Sequence, residues 1–384
     1  MQFTSGLLDK NTGLLLIGNF GDWLAVFKVD NPLVSSSFFV RNLNVVAAAA
    51  RFLGLESDAS KYEGLARAIS QAFVKQWWNS TAMRFQTSQG FQSSVALPLF
   101  SGICGVLESN ITQACAQAIS DITIQGECHP TQDHATAPTC LYPMHVTGGI
   151  MGAEALLPAL SMAGRSDLAL AVALQTDFPS WAAMTHDGSG ALWERWDGDL
   201  TDPEGGSRNH VMLSSVRTWA GVAAAGLSTL VPGWSSVLVA PAWNIVHSSL
   251  ASITNASCSV SSTSGKIYAS WATSSPADSS GWTRDKNVRV IASLPPSVSG
   301  IICVPCLDCH AANITESSAI VWKGSSGFQP GVAGIRSAEV RQANLLVKWS
   351  LAYPGAGSPI DTGEKGSLSV CFDVDSGHYL FESN

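Results

Sequence analysis

The sequence predicts a mainly α protein that ends in an all-β domain. Three observations carry this. Apolar residues recur at helical spacing from Phe38 to about Leu227. The pattern then changes after Pro232-Gly233 to short alternating runs separated by turn residues. Of the 384 residues, 46% are hydrophobic and only 13% charged, enough apolar material for a sizeable core. The expected division is 1–232 for the helical part and 233–384 for the β part.

The first helix is expected from Phe38 through Leu53, with Leu43, Val46, Ala47 and Ala50 on one face and Gly54 as its stop. Ser60-x-x-Glu63 has the spacing of a capping box, in which each side chain satisfies a free N–H of the other's turn. Tyr62, Leu65, Ile69, Phe73 and Trp77 follow at helical intervals. Further helices are expected at 94–107, 149–163, 167–176 and 215–227, about seven in all before residue 230. In the β part, runs at 235–240, 266–271, 288–294, 300–304, 319–322 and 367–372 read as strands of a sandwich.

Composition narrows the function. A net charge of -8 without any basic run argues against nucleic acid. No apolar stretch approaches the roughly 18 residues of a membrane span, so no membrane partner is expected. The N-terminus does not read as a signal peptide, since Asp9 and Lys10 interrupt the apolar residues. Acceptor sequons at Asn79, Asn110, Asn255 and Asn313 favour a secreted origin mildly, with any export signal upstream of Met1. The nine cysteines include Cys303-x-x-Cys306-x-x-Cys309-His310. That cluster lacks the second ligand pair of a structural zinc site, so disulfides are the preferred reading over metal. His129, Asp133 and His134 read as a polar loop, and no metal or cofactor is expected.

Thirteen tryptophans with so few charges suit either a sugar site or a core. The sharper signal is Trp193-Glu194-Arg195-Trp196-Asp197-Gly198, a carboxylate between two indoles beside an arginine, flanked by loops. The aromatic rings can tune its pKa and stack on a sugar; equally, Glu194 could pair with Arg195 and cap a loop. In Ser207-Arg208-Asn209-His210, Asn209 and His210 could bind hydroxyls or steady that carboxylate, or His210 could be a core histidine. Gly21-Asp22-Trp23 is a second acidic-aromatic pair. His145-Val-Thr147-Gly148-Gly149 precedes a helix, where glycines let a ligand or another backbone approach, and Thr147 is the expected N-cap.

Taken in order, these segments resemble the α-L-rhamnosidase family of inverting glycosidases. The resemblance rests on 21–25 (GDWLA), 145–169 (HVTGGIMGAEALLPALSMAGRSDLA), 176–181 (TDFPSW), 192–198 (LWERWDG) and 207–216 (SRNHVMLSSV), with 265–271 and 376–383 similar to strands of the family's C-terminal β-sandwich. It covers most of the chain, and 110–144 and 272–365 match poorly. The resemblance implies a partial (α/α)6 barrel and hydrolysis of terminal α-L-rhamnosides with inversion. Glu194 then corresponds to the general base. Trp23, His210 and, by analogy, Asp22 line the sugar subsite, while Trp193 and Trp196 flank the base and support it. Inversion needs a second carboxyl group roughly 6.5–9.5 Å away. In the family that acid lies upstream of the GDW segment, in a motif of the type DxxxRDERxGWxGD, which this sequence does not contain. A truncated barrel is therefore expected, with uncovered helix faces open to association. The competing readings are a non-catalytic rhamnose-binding protein and a related (α/α)6 glycosidase for another sugar.

Overall fold

A computed structural model of the protein describes residues 6–16, 18, 20–87, 90–106, 109–129, 139–185, 190–198, 206–246, 248–273, 288–306, 308–361 and 368–383. The chain divides into two compact units. A helical unit comprises 1–216 with 353–362, and a β unit comprises 217–352 with 363–384.

The helical unit opens with α1 (Asn31–Phe52), longer at its N-terminus than the sequence period suggested because Pro32 supplies a ready-made first turn. Leu33, Val40, Leu43, Ala47 and Ala50 form its buried stripe, and Gly54 (φ 73°) ends the turn beyond it. By length and composition α1 could cross a membrane, yet 56% of its apolar window is buried within the unit, as in a core helix. Helix α2 (Glu56–Trp77) starts four residues before the expected capping box. Ser60 is thus inside the helix and caps nothing, while Glu63 pairs with Arg51 at 2.7 Å. Every residue of α3 (Phe91–Phe100) is buried. Helix α4 (Ser109–Gln125) was not anticipated; its buried face is Cys115, Ile119, Ile122 and Thr123, and the Cys104–Cys115 disulfide ties down its first half. Helices α5 (Ile150–Met162) and α6 (Ser166–Ala173) follow, α5 packing on α3. Residues 353–362 return to this unit through Gly357 N–H to Phe100 O (2.8 Å) and Ile360 N–H to Met162 O (2.7 Å).

Two short strand pairs, β1 (Trp78–Asn79) with β2 (Arg84–Phe85) and β3 (Glu127–His129) with β4 (Thr139–Leu141), belong to the helical unit, and the β unit contains a five-stranded and a seven-stranded sheet. In the first, β5 (Leu227–Thr229) and β6 (Ser236–Val239) lie beside β10 (Ser299–Pro305), β15 (Leu368–Val374) and β14 (Ile335–Gln342). In the second, β7 (Asn255–Ser262), β8 (Gly265–Thr273), β9 (Val288–Leu294) and β16 (Gly377–Ser383) run in that order, followed by β11 (Asn313–Glu316), β12 (Ala319–Lys323) and β13 (Gly327–Phe328). Phe372 of β15 stacks on Phe381 of β16 at 4.6 Å, joining the two sheets in one core. The unit begins earlier than the expected 232/233 boundary. Strand β5 precedes Pro232, and Trp271 of β8 donates its indole N–H to Ala224 O at 2.7 Å, so 217–231 belongs with the sheets. The helix expected at 215–227 stops at Trp219 and continues as a π turn over Ala220–Ala224.

Cysteines resolve as disulfides. Cys303–Cys371 links directly opposed residues of β10 and β15, Cys306 pairs with Cys309, and Cys128 with Cys140. Cys258 is free.

Candidate active site

The segment 192–198 and the segment 206–210 lie side by side. Glu194 N–H donates to Ser207 O (2.7 Å), and His210 N–H donates to Leu192 O (2.8 Å). Side chains along 193–197 then divide by environment. Trp193 and Trp196 are buried, at 8% and 4% exposure. Trp196 donates its indole N–H to Gly148 O at 2.8 Å and meets Trp181 edge-on at 5.4 Å. Trp193 lies under the Arg208 guanidinium, 4.6 Å from the ring centre, and Arg208 also holds Gly198 O. Gly198 (φ 50°) is pressed on the Trp193 ring, where any Cβ would stand 1.9 Å from a ring carbon. Both tryptophans therefore brace the segment from beneath.

Arg195 does not pair with Glu194. It makes a bidentate pair with Asp197, both contacts at 3.0 Å. Glu194 is instead held by two neutral donors: Trp23 Nε1–H to Oε1 at 3.2 Å and Ser207 N–H to Oε2 at 3.0 Å. The Ser207 amide and then the Trp23 indole hold its carboxyl below the usual carboxylate range; partial burial opposes them, and the charges of His210 and Arg195 add smaller pulls. Two donors occupy two of about four lone-pair directions, leaving room for water. An ionised carboxylate so placed can accept a proton from that water.

Trp23 owes its position to its neighbour. Asp22 is only 5% exposed, and its carboxylate accepts four hydrogen bonds: Gly149 N–H (3.0 Å) and Ser93 Oγ–H (2.8 Å) on Oδ2, Met151 N–H (3.0 Å) and Gly152 N–H (2.8 Å) on Oδ1. The Trp23 carbonyl accepts the remaining N–H of that turn, from Ile150, at 3.0 Å. Residues 22 and 23 thus satisfy the otherwise unpaired N-terminal donors of α5. Burial pushes the Asp22 pKa up against the pull of its four donors. The expectation that Asp22 lines the sugar pocket is corrected here: its oxygens are consumed by the protein. Thr147 is likewise not the N-cap; Gly149 is, and Thr147 bonds Gln92 and Glu127. The glycines are needed for contact, since a Cβ on Gly149 would lie 2.1 Å from Trp23 O and one on Gly152 2.2 Å from Ser93 Oγ.

The structure brings Glu194, Trp23 and His210 together and sets Asp22, Trp193 and Trp196 behind them. Trp23 is 41% exposed and meets Phe20 edge-on at 5.3 Å, presenting aromatic surface beside the carboxylate. The Nδ1 of His210 and the Nε1 of Trp193 are buried without a protein partner. A cleft of about 320 Å³ adjoins the segment, lined by Leu24, Tyr142, Phe178, Arg195, Trp196 and Asp197 among others; Glu194 is not part of its wall. Sequence reasoning missed Ser207, Ser93 and Arg208 as partners, and only the Gly-Gly-x-x-Gly spacing at 148–152 hinted that another backbone docks there. Among the described residues no cluster of His, Cys, Asp or Glu could hold a metal. Asp133, His134 and the loop 186–189 lie outside the described residues, as does the His129 side chain.

The model of the bacterial α-L-rhamnosidase six-hairpin glycosidase domain matches residues 9–223. An α-L-rhamnosidase from Streptomyces avermitilis is 25% identical over 306 residues, covering 78% of this chain and 26% of that protein. One from Alteromonas sp. strain LOR is 24% identical over 326 residues, 81% of this chain and 32% of its own length. The chain thus spans about a quarter to a third of the curated relatives it matches. Among solved structures, α-L-rhamnosidase from Dictyoglumus thermophilum superposes with TM-score 0.70 at 19% identity, over 97% of this chain and 34% of that one. The S. avermitilis enzyme complexed with L-rhamnose gives TM-score 0.68 at 21% identity, over 99% and 29%. These likenesses carry the fold, and the family model, covering more than half the chain, carries the assignment: the chain belongs to the α-L-rhamnosidase family, with residues 9–223 matching its six-hairpin glycosidase domain.

Proposed function

We propose that the helical unit carries the general-base side of an inverting glycoside hydrolase that removes terminal α-L-rhamnose. Its helices form part of an (α/α)6 barrel, and the two sheets of the β unit a C-terminal β-sandwich. Glu194 deprotonates a water, which attacks the anomeric carbon from the face opposite the departing oxygen. Trp23 packs on the sugar while orienting Glu194 through its indole N–H, and His210 lines the same subsite. Asp22, Trp193 and Trp196 act as positioning residues. The protonating acid of the reaction belongs, on the family resemblance, to a segment upstream of Gly21.

One observation carries this reading: the Glu194 carboxylate makes no ion pair with an arginine, is fixed by Trp23 and Ser207, and is held ionised beside an accessible aromatic surface. The test is an aryl α-L-rhamnoside assay on this chain and on the chain extended upstream of Met1, with the product followed by proton NMR. The expected first product of the extended protein is the β anomer. Rhamnose binding without turnover in both would support a non-catalytic sugar-binding protein, and turnover with retention would overturn the base assignment.

A further inference from the structure

The β unit holds a second cavity, separate in composition from the carboxylate site. It has a volume of about 760 Å³ and lies between β7 and the segment 217–229. That is the size of sites that take small organic molecules. Val222, Ala224, Ala225, Leu227 and Val260 give it an aliphatic floor. The small residues of the π turn keep it open; a Cβ on Gly221 would come within 3.4 Å of Cys258 Sγ across the space.

The wall also carries Thr218, Thr229, Ser257 and Ser259, and three further residues bear most directly on what it could hold. Arg217 is exposed at the rim, no ion pair joins it to any described carboxylate, and no Asp or Glu lines the cavity. Trp234 also lines the wall. Ser228, on the edge strand β5, is only 3% exposed, and its hydroxyl has no protein partner. Buried hydroxyls are ordinarily bonded, so an unpartnered one in a cavity wall calls for an acceptor from outside the chain.

We propose that this cavity binds a small aromatic carboxylate. Arg217 pairs with the carboxylate, Trp234 stacks on the ring, Ser228 donates to a ligand oxygen, and the aliphatic floor covers the remaining apolar surface. The inference is independent of the rhamnosidase reading, since none of these residues belongs to the Glu194 site.

Cys258 supplies the assay. It is the one cysteine outside the four disulfides, and it lines this cavity. Iodoacetamide labelling of Cys258 in the full chain, followed by mass spectrometry, is measured at fixed pH with increasing trans-cinnamate, and with galacturonate as a non-aromatic carboxylate. Cinnamate is expected to slow labelling saturably, and galacturonate to leave it unchanged. Arg217→Gln should raise the half-protecting cinnamate concentration by about tenfold, the worth of one charge-assisted contact. Ser228→Ala, which removes an unpartnered hydroxyl, should keep the melting temperature and still weaken protection. Absence of cinnamate protection, equal protection by galacturonate, or unchanged protection in a folded Arg217→Gln protein would each overturn the proposal.

Discussion

Replacing Asp22 by asparagine tests the support beneath the site, because it keeps shape and removes charge. All four partners of the Asp22 carboxylate are donors: the N–H groups of Gly149, Met151 and Gly152 and the Ser93 hydroxyl. The best-placed amide turns its oxygen toward Met151 and Gly152 and its NH2 toward Ser93, whose hydroxyl can rotate to accept. Gly149 N–H then faces another donor. One buried donor losing its partner costs about 1–3 kcal/mol, and two bonds losing their charge assistance add roughly 1 kcal/mol together. The expected loss is therefore about 3 kcal/mol, read in urea unfolding of the helical unit as a lower midpoint at unchanged slope. Because Trp23 is held by the same turn, rhamnose affinity should fall with it. A loss under about 1 kcal/mol would refute the argument that a charged acceptor terminates α5.

Other expectations follow from the same geometry. Gly149→Ala places a methyl 2.1 Å from Trp23 O and should destabilise by about 1–3 kcal/mol, measured by thermal melting. The folded pKa of Glu194 is lowered, so its ionised contribution is present above the unfolded pKa and is lost as pH falls through the folded value. The acidic limb of the pH–rate profile should accordingly lie below the usual carboxylate range, and Trp23→Phe, deleting one of the two donors, should move it upward. Replacing both Cys303 and Cys371 by serine opens a loop of 68 residues and should lower stability by about 4 kcal/mol on the chain-entropy argument, measured by urea unfolding of the β unit.

Much of this was legible from residue pattern. The helical period located α1, α2, α5 and α6, and alternation located β6 and β8, since burial on one face imposes those periods, while β9 showed as a short run of strand-forming residues. What the pattern could not show is what tertiary contact decides. Helix α4 is rich in β-branched and polar residues and is fixed by the Cys104–Cys115 disulfide and burial, so propensity alone passed it over. The capping spacing Ser60-x-x-Glu63 was overridden because Arg51, twelve residues back, holds Glu63 from the preceding helix. At the site, the bracketing of Glu194 by two indoles was readable, yet which groups face the carboxylate was not. Trp23 reaches it from 171 positions away, whereas the adjacent Trp193 and Trp196 turn into the core. Asp22 looked like a ligand residue for the same reason: a buried carboxylate that caps a distant helix and one that meets a sugar have the same local sequence.

The central claim is that the Glu194 carboxylate takes the proton from the attacking water. The most direct measurement is azide rescue of Glu194→Ala in the upstream-extended protein, with an aryl α-L-rhamnoside as substrate. Removing the base should lower turnover by about 10²–10⁴-fold. Azide, a nucleophile that needs no deprotonation, should restore it by forming the β-L-rhamnosyl azide as the aryl alcohol departs. Turnover near that of the unsubstituted protein without azide, or an α-configured azide product, would contradict the account.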